Sequence, residues 1–527
     1  MVRTRFAPSP TGYLHIGGVR TALFCWLFAR RNGGQFLLRI DDTDAERNVE
    51  SALAPILHGF RWLGIDWDEG PEVGGPHAPY YQSQRLPRYQ TAVEKLLAAG
   101  LAYRDYATTE ELQAERETAQ REKRPFLYSR RFMAETEAQQ KHFAAQGRQP
   151  VVRLKMPRQG TLHLHDHIRG DVDFEWAREQ DHVVQRADGT CLYHLASVVD
   201  DFDFEISHVI RAEEHLSNTP RQVFIAQSLG YPLPEYAHLP FVAEPGSHNK
   251  LSKRKLDKYL KNRDFAQVAE HGSRIAAALG LPASADTFNP VIVDFYEQVG
   301  YLPSAILNYL LLLGWSLDDR REFFSRDEMI ANFTLERVTQ SPASFDPKKL
   351  WAFEDHYMQQ LPAAEKLNRM LPYLQRAKLI ADPAPAGDVT QLERIIAASG
   401  DRLKVAGDIL AYADFFFAAE PVYDPQAVEK TLRKPGAIEL LAKFKERLAS
   451  IEPFDTASLE AALQQFVAAA GVKIGDLIHP LRVAVTGKAV GPGLYDCLAI
   501  LGRERCITRI ERVVGRQAAM RAAAAPS

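Results

Sequence analysis

TRFAPSPTGYLHIGGVRTALFCWLFARR, residues 4–31, sets two prolines, a serine, a threonine and three glycines between a short apolar segment and a long amphipathic one. Proline and glycine interrupt both helix and strand, so a shaped loop joins two regular elements here. Residues 2–7 read as a strand and 19–31 as a helix. GQFLLRI then reads as a second strand after the turn at Asn32, Gly33 and Gly34, with a second helix expected over about 49–63. Strand and helix in alternation predict a parallel sheet with helices on its faces.

Composition bounds the rest. At 527 residues the chain is too long for one core, and hydrophobic and charged contents of 46% and 25% are those of a globular protein. A formal net charge of −3 means that a nucleic-acid partner must be met by a local basic patch. The four cysteines, Cys25, Cys191, Cys497 and Cys506, form no C-x-x-C pair, which argues against structural zinc and fits a reducing cytosol. No apolar run approaches the roughly 20 residues of a membrane helix, and TALFCWLFA, flanked by Arg20, Arg30 and Arg31, reads as a buried helix. Arg3 and Arg5 lead straight into the folded pattern, without a signal-peptide profile. These readings point to a cytoplasmic multidomain protein with no membrane segment.

Further along, TTEELQAERETAQREKR reads as a charged helix capped by Thr108 or Thr109. VVRLKM and GTLHLHDHIRGDVDFEW look like antiparallel strands, and DGTCLYHLASVVDDFDFEISHVIRAEEH returns to buried-strand composition. That order implies an insertion splitting one α/β domain. From about residue 346 helical periodicity dominates.

A glycine-rich turn between strand and helix can hold phosphate, because backbone N–H groups and the helix N-terminus face it. The stretch is neither G-x-x-x-x-G-K-[ST] nor G-x-G-x-x-G. An imidazole at His15 is suited instead to donate to an α-phosphate as charge builds there. A second element supports this. From Lys250 to Arg263 the chain carries seven basic residues against one acid, and Lys250, Ser252 and Lys253 follow a turn at Gly246. Ammonium groups on such a loop neutralise a departing pyrophosphate. HIGG alone favours a capping turn, and a basic run alone favours a solvated face. The ordered pair is far more specific.

With these motifs the sequence resembles the class I aminoacyl-tRNA synthetases, and within them the bacterial-type glutamyl-tRNA synthetases. The likeness extends through RIDDTD, DEGP with PYYQSQRL, YHLASVVDD, VIRAEEHLSNTPRQ, KLSKR, GYLPSAILNYLLLLGWS and HPLRVAVTG. It implies ATP-dependent ligation of L-glutamate to the 3′ end of tRNA(Glu) through a glutamyl-adenylate, with Mg²⁺ accompanying ATP. His15, Lys250 and Lys253 inherit catalytic roles. Pro8, Thr11, Gly12, His15, Gly17, Gly18 and Lys250, Leu251, Ser252, Lys253, Arg254 form the two ATP signatures. Arg5, Tyr193 and Arg211 are expected on the substrate's side-chain carboxylate, Ser9 and Asp41 on its amino group, and Ser197 near its α-carboxylate. Asp41 stands where the family commonly has Glu, and Ser197 where it commonly has Asn. Asp42 and Asp44 read equally as ligands or as a structural acidic turn.

The implied fold class is α/β: a split Rossmann-like nucleotide-binding domain with an α+β insertion, followed by all-α C-terminal domains. Residues 1–79 and 192–245 form the two catalytic halves, and 80–191 the insertion that cradles the acceptor stem. Residues 246–345 form a lysine-loop and stem-contact domain, with an extra stretch at about 256–299 read as a solvent-facing elaboration. Residues 346–430 and 431–527 are helical anticodon-binding subdomains, in which Arg402 has the chemistry of an anticodon reader, though an exposed helix charge is favoured slightly. No zinc is expected, since the insertion lacks cysteine before Cys191, and the chain is expected to act as a monomer. The competing readings are a glutaminyl-tRNA synthetase, a truncated paralogue that glutamylates a tRNA base, and an inactive RNA-binding adaptor. Gly18, the helical C-terminus, the length, and the intact charge set of Arg5, His15, Arg211 and Lys253 argue against them.

Overall fold

The computed structural model describes residues 1–10, 12–43, 53–285 and 287–524, and gives only the backbone of Lys253 and of 517–524. Thr11, Asp44 and the start of the expected second helix lie outside the described residues. The chain divides into two compact units: Met1–Ala266 with Ala285–Phe295 and Pro303–Phe353, and Gln267–Ser284 with Tyr296–Leu302 and Glu354–Ser527.

In the first unit, β1 (Arg3–Phe6) pairs in parallel with β2 (Gln35–Leu38), Arg5 opposite Leu37, and α1 (Ile16–Arg31) crosses between them. The apolar run is core: Ala22, Leu23, Phe24, Cys25, Trp26 and Leu27 are all buried, and Arg30 and Arg31 complement the negative end of the helix dipole. Among the described residues no helix is long and apolar enough to cross a membrane. After α2 (Leu53–Leu63) and α3 (Leu86–Ala98) the chain enters an antiparallel sheet of order β4-β3-β5-β8. Its strands are β3 (Ala102–Asp105), β4 (Met133–Ala134), β5 (Val151–Leu154) and β8 (Val183–Gln185). Two helices join it, α4 (Thr109–Arg121) and α5 (Glu137–Ala145), each opened by a capping box. At α4 the cap is Thr108, whose hydroxyl accepts from the Glu111 N–H.

Two elements depart from the sequence expectation. The hairpin of β6 (Thr161–Asp166) and β7 (Gly170–Glu175) does not pair with β5. It extends a different sheet, of order β7-β6-β10-β9, with β9 (His208–Ala212) and β10 (Glu235–Leu239). Asp166 explains the attachment. Fully buried, its Oδ1 accepts the N–H groups of Ile168, Arg169 and His238, and its Oδ2 meets His238 Nδ1 at 2.5 Å. The second departure is α6 (Tyr193–Asp203), in a region whose composition suggested a strand. Leu195, Ala196 and Val199 are its buried apolar residues, a helical stripe and not an alternation.

After α6, β9 and β10 run parallel through α7 (Thr219–Leu229), and the Ser207 N–H donates to the Arg3 carbonyl at 3.0 Å, bringing β9 beside β1. A short parallel pair, β11 (Val242–Ala243) with β12 (Ala343–Ser344), completes the unit's strands. The second unit is helical, with long helices at Ala363–Arg376, Ala386–Ser399, Ala437–Ala449, Thr456–Ala470, Ile474–Thr486 and Arg503–Ala524. Buried Arg509 ties three of its segments, donating to the carbonyls of Val485, Phe415 and Ala418.

Candidate active site

The carboxyl ends of β1, β2, β9 and β10 open onto one crevice of about 730 Å³, the place where parallel α/β sheets bind ligands. Of the residues singled out from sequence, Arg5, Ser9, His15, Gly17, Gly18, Asp41, Tyr193, Arg211, Lys250, Leu251, Ser252 and Arg254 line it. Pro8 and Gly12 shape the loop without lining the crevice: the Pro8 carbonyl accepts the Asp41 N–H at 3.0 Å, and Gly12 sits at φ +130°. Ser197 does not reach it either. It lies one helical turn beyond Tyr193, buried, with its hydroxyl unpaired among the described residues. The side chain of Lys253 and all of Thr11 are outside the described residues.

His15 is the N-cap of α1, and its Nδ1 accepts the Gly17 N–H at 2.9 Å. With Nδ1 accepting, a neutral ring carries its hydrogen on Nε2. The helix start thereby sets the tautomer that donates. Gly17 gives the ring room, since a Cβ there would stand 3.3 Å from Nδ1. The loop is braced from a distant segment. Ile16 N–H donates to the Val291 carbonyl at 3.1 Å, Val293 N–H to the Leu14 carbonyl at 3.0 Å, and Val291, Ile292 and Val293 are buried. Part of the stretch read as a solvent-facing elaboration is therefore packed behind the histidine loop, because its Val-Ile-Val run has an apolar surface to cover.

The lysine loop is anchored through Leu251, whose N–H donates to the Val242 carbonyl at 2.9 Å. Lys250 pairs with Glu214, and Glu244 collects Lys255 and Lys258. Ser252 caps the short turn Lys253–Lys255 that follows.

The arginines differ in kind. Arg5 places Nε and Nη2 on Asp201 at 3.0 and 3.2 Å. Asp201 also takes Arg39, which grips Asp41 through Nε and Nη2 at 2.7 and 3.2 Å. Asp41 therefore meets the crevice already held by a guanidinium, and burial pushes its carboxyl above the usual range despite Arg39. Among the described residues no carboxylate is in hydrogen-bond contact with Arg211, although Asp201 is near enough to act on its charge. Its Nε donates to His238 Nε2 at 3.0 Å, Nη1 to Gln222 Oε1 at 2.6 Å, and Nη2 to Thr219 Oγ1 at 2.9 Å and the His215 carbonyl at 3.3 Å. Burial pulls its pKa down, with nearby Arg5 adding to the effect. Of the guanidinium's five N–H groups, these contacts leave one for a ligand in Arg211. Arg5 has more to offer, since Asp201 engages only two of its nitrogens. Burial holds the pKa of His215, beside Arg211, down to about 4, so it lines the wall as a neutral ring near pH 7.

Sequence reasoning overlooked Arg39 and Asp201, although both stand inside quoted motifs, and it overlooked the Asp166–His238 couple behind Arg211. It also missed Arg20, which lines the crevice. Arg20 donates to the Pro240 carbonyl at 2.5 Å, and its buried Nε and Nη2 lack partners among the described residues. Asp42 has a partner within the fold: its carboxylate accepts the N–H and hydroxyl of Ser83 at 2.8 and 2.7 Å.

The couple yields a test. Asp166 holds the His238 hydrogen on Nδ1, leaving Nε2 to accept from Arg211. Asp166→Asn presents an amide donor to Nδ1 and drives the hydrogen to Nε2, against the Arg211 N–H. The KM for the amino acid is expected to rise about 10-fold, the equivalent of one lost hydrogen bond to a charged group, with the ATP KM unchanged. Equal KM values in parent and variant for both substrates refute this positioning role.

Residues 1–277 and 288–352 match the family model described as tRNA synthetases class I (E and Q), catalytic domain. Residues 365–514 match an anticodon binding domain model. A glutamate–tRNA ligase of Moorella thermoacetica is 43% identical over 512 residues, covering 97% of both chains. One of Roseiflexus castenholzii is 40% identical over 527 residues, covering 99% of this chain and 97% of the relative. Among solved structures, a glutamate tRNA ligase from Elizabethkingia meningosepticum in complex with its amino acid superposes with a TM-score of 0.81 at 32% identity, covering 98% of this chain and 99% of that one.

Proposed function

The chain belongs to the class I tRNA synthetases of the glutamate and glutamine group, and from that premise we propose that it ligates L-glutamate to the 3′ end of tRNA(Glu) at the expense of ATP. An oxygen of the glutamate α-carboxylate attacks the α-phosphorus of ATP, the bond to pyrophosphate breaks, and glutamyl-adenylate forms. The 2′-hydroxyl of the terminal adenosine then attacks the acyl carbon, and AMP leaves. Mg²⁺ enters with ATP as part of the substrate.

His15 donates from Nε2 to the α-phosphate as charge accumulates in the transition state. Lys253 and Lys250 stabilise the departing pyrophosphate, Lys250 being drawn away from Glu214 when phosphate arrives. The incompletely satisfied Arg20 supports the anion from the crevice wall. Arg5, Tyr193 and Arg211 hold the side-chain carboxylate, and Ser9 with Asp41 holds the amino group. Residues 80–191 cradle the acceptor stem, while 346–430 and 431–527 read the anticodon, Arg402 among the exposed residues there. The enzyme works as a cytoplasmic monomer and needs no cysteine-bound zinc.

One observation carries the choice of amino acid. Arg211 is a buried cation whose every contact is electrically neutral. A buried charge without a counter-charge is costly, and the side-chain carboxylate of glutamate supplies one. The amide of glutamine leaves Arg211 with only the field of Asp201, a carboxylate already engaged by Arg5 and Arg39. The deciding experiment is ATP–pyrophosphate exchange with glutamate or glutamine, with and without tRNA. Glutamate-dependent exchange is expected. Exchange with glutamine alone overturns the substrate, and exchange under no condition favours the adaptor reading.

A further inference from the structure

Behind the strand that carries Arg211, three side chains far apart in sequence converge. His208 opens β9, Glu235 opens β10, and the two are register partners across the parallel ladder. His167 follows β6 and is held there by its N–H donating to the Tyr236 carbonyl at 2.9 Å. Nε2 of His167 lies 2.5 Å from Glu235 Oε2 and Nε2 of His208 lies 3.5 Å from the same oxygen, and the three ligand atoms fall within 4.8 Å of one another. This is the one such grouping of three His, Cys, Asp or Glu among the described residues.

The cluster is separate from the crevice. His208 precedes Arg211 by an odd number of residues, so the two point to opposite faces of the strand. Phe28 of α1 packs on the His208 ring at 4.9 Å, whereas the Tyr236 ring lies under Arg211 at 5.7 Å.

We propose that His167, His208 and Glu235 form a binding site for a zinc-like divalent transition-metal ion that clips the turn after β6 to the first residues of β9 and β10. Two observations support a metal over a simple ion-pair cluster. First, the spacing is close, with no pair of ligand atoms more than 4.8 Å apart. Ligand atoms of a tetrahedral ion bound at about 2.0–2.1 Å are about 3.3 Å apart, so His208 and Glu235 stand almost in place. His167, on a turn and partly exposed, needs to retreat by less than about 1 Å from Glu235 to match that spacing. Second, an outer contact suits a metal-bound tautomer. Ser207 Oγ lies 2.8 Å from His208 Nδ1 and is within 3.2 Å of the Arg3 carbonyl. With a metal on Nε2 the ring hydrogen sits on Nδ1, where Ser207 Oγ accepts it and passes its own hydrogen to that carbonyl. A second-sphere acceptor of this kind orients a metal-bound histidine.

Two imidazoles and one carboxylate select Zn²⁺, Co²⁺ or Ni²⁺ over Mg²⁺ or Ca²⁺, which prefer all-oxygen sets. The exposed side of Glu235 leaves water as a fourth ligand. The absence of zinc expected from sequence concerned cysteine ligands in the insertion, and this set contains no cysteine.

The test uses the full chain, stripped with chelator and titrated with Co²⁺ in excess Mg²⁺. The d–d absorption reports Co²⁺ binding, and Zn²⁺ calorimetry provides the stoichiometry. One equivalent is expected in the parent and in His165→Gln, a neighbouring exposed histidine that pairs with Asp171. At least a 10-fold loss of affinity is expected in His167→Gln and in Glu235→Gln. Both replaced side chains reach the surface, and melting without metal verifies that each variant is folded. Zn²⁺ is expected to raise the melting temperature of the parent and to leave that of the two variants in place. Absence of stoichiometric binding to the parent, or equal affinity in parent and both variants, overturns the site.

Discussion

Arg211→Ala is expected to raise the glutamate KM in ATP–pyrophosphate exchange by about 10²–10³-fold, the loss typical of truncating one partner of a desolvated charge pair. The ATP KM should stay near the parent value, because the guanidinium sits on β9 and not on the histidine or lysine loops. The four contacts that Arg211 makes with His238, Gln222, Thr219 and the His215 carbonyl fix its plane. Only the directions of the remaining N–H and of the charge then matter to the ligand. Arg211→Lys should therefore rescue little, since an ammonium cannot satisfy four neutral acceptors at guanidinium spacing and still face a carboxylate. A glutamine KM unchanged by Arg211→Ala, beside a sharply raised glutamate KM, is the pattern of a charge selector. If tRNA affinity alone falls, Arg211 does not belong to the amino-acid pocket.

The arrangement was partly legible in sequence. The loop at residues 8–18 announced itself because proline and glycine leave a chain few other uses, and the basic run after Gly246 matched it in chemistry. Arg5 and Arg211 were legible as strand-end cations. What sequence hid are the partners that decide how those cations behave. Asp166 and His238 are 72 residues apart, and nothing local to either marks a buried couple. In RIDD nothing distinguishes Arg39 from a surface charge, yet it joins Asp41 to Asp201. At 161–175 alternation predicts antiparallel strands, which β6 and β7 are, but not which sheet they join. Likewise, nothing local to Val291–Val293 marks it as the partner of the histidine loop, where the Val293 N–H donates to the Leu14 carbonyl. The cluster of His167, His208 and Glu235 lay wholly outside sequence reading, since metal spacing rules describe ligands on one element or adjacent turns.

His15→Ala tests the other half of the crevice. Two effects are superposed in that residue and must be separated. As N-cap of α1 the imidazole satisfies the Gly17 N–H, and its loss costs about 1 kcal/mol of stability, a small perturbation for a helix buried along most of its length. As the Nε2 donor, it stabilises charge developing on the α-phosphate. Removal of one such preorganised donor slows the chemical step by about 10²–10³-fold. His15→Asn divides the two. Its side-chain oxygen can accept the Gly17 N–H and restore the cap, but it has no group at the position of Nε2. Both variants are expected to exchange pyrophosphate slowly with substrate KM values near those of the parent, while only His15→Ala melts earlier. A normal exchange rate in His15→Asn would reduce His15 to a cap. A slow rate restored by Asn in proportion to stability would trace the defect to the disordered start of α1 and not to a missing donor.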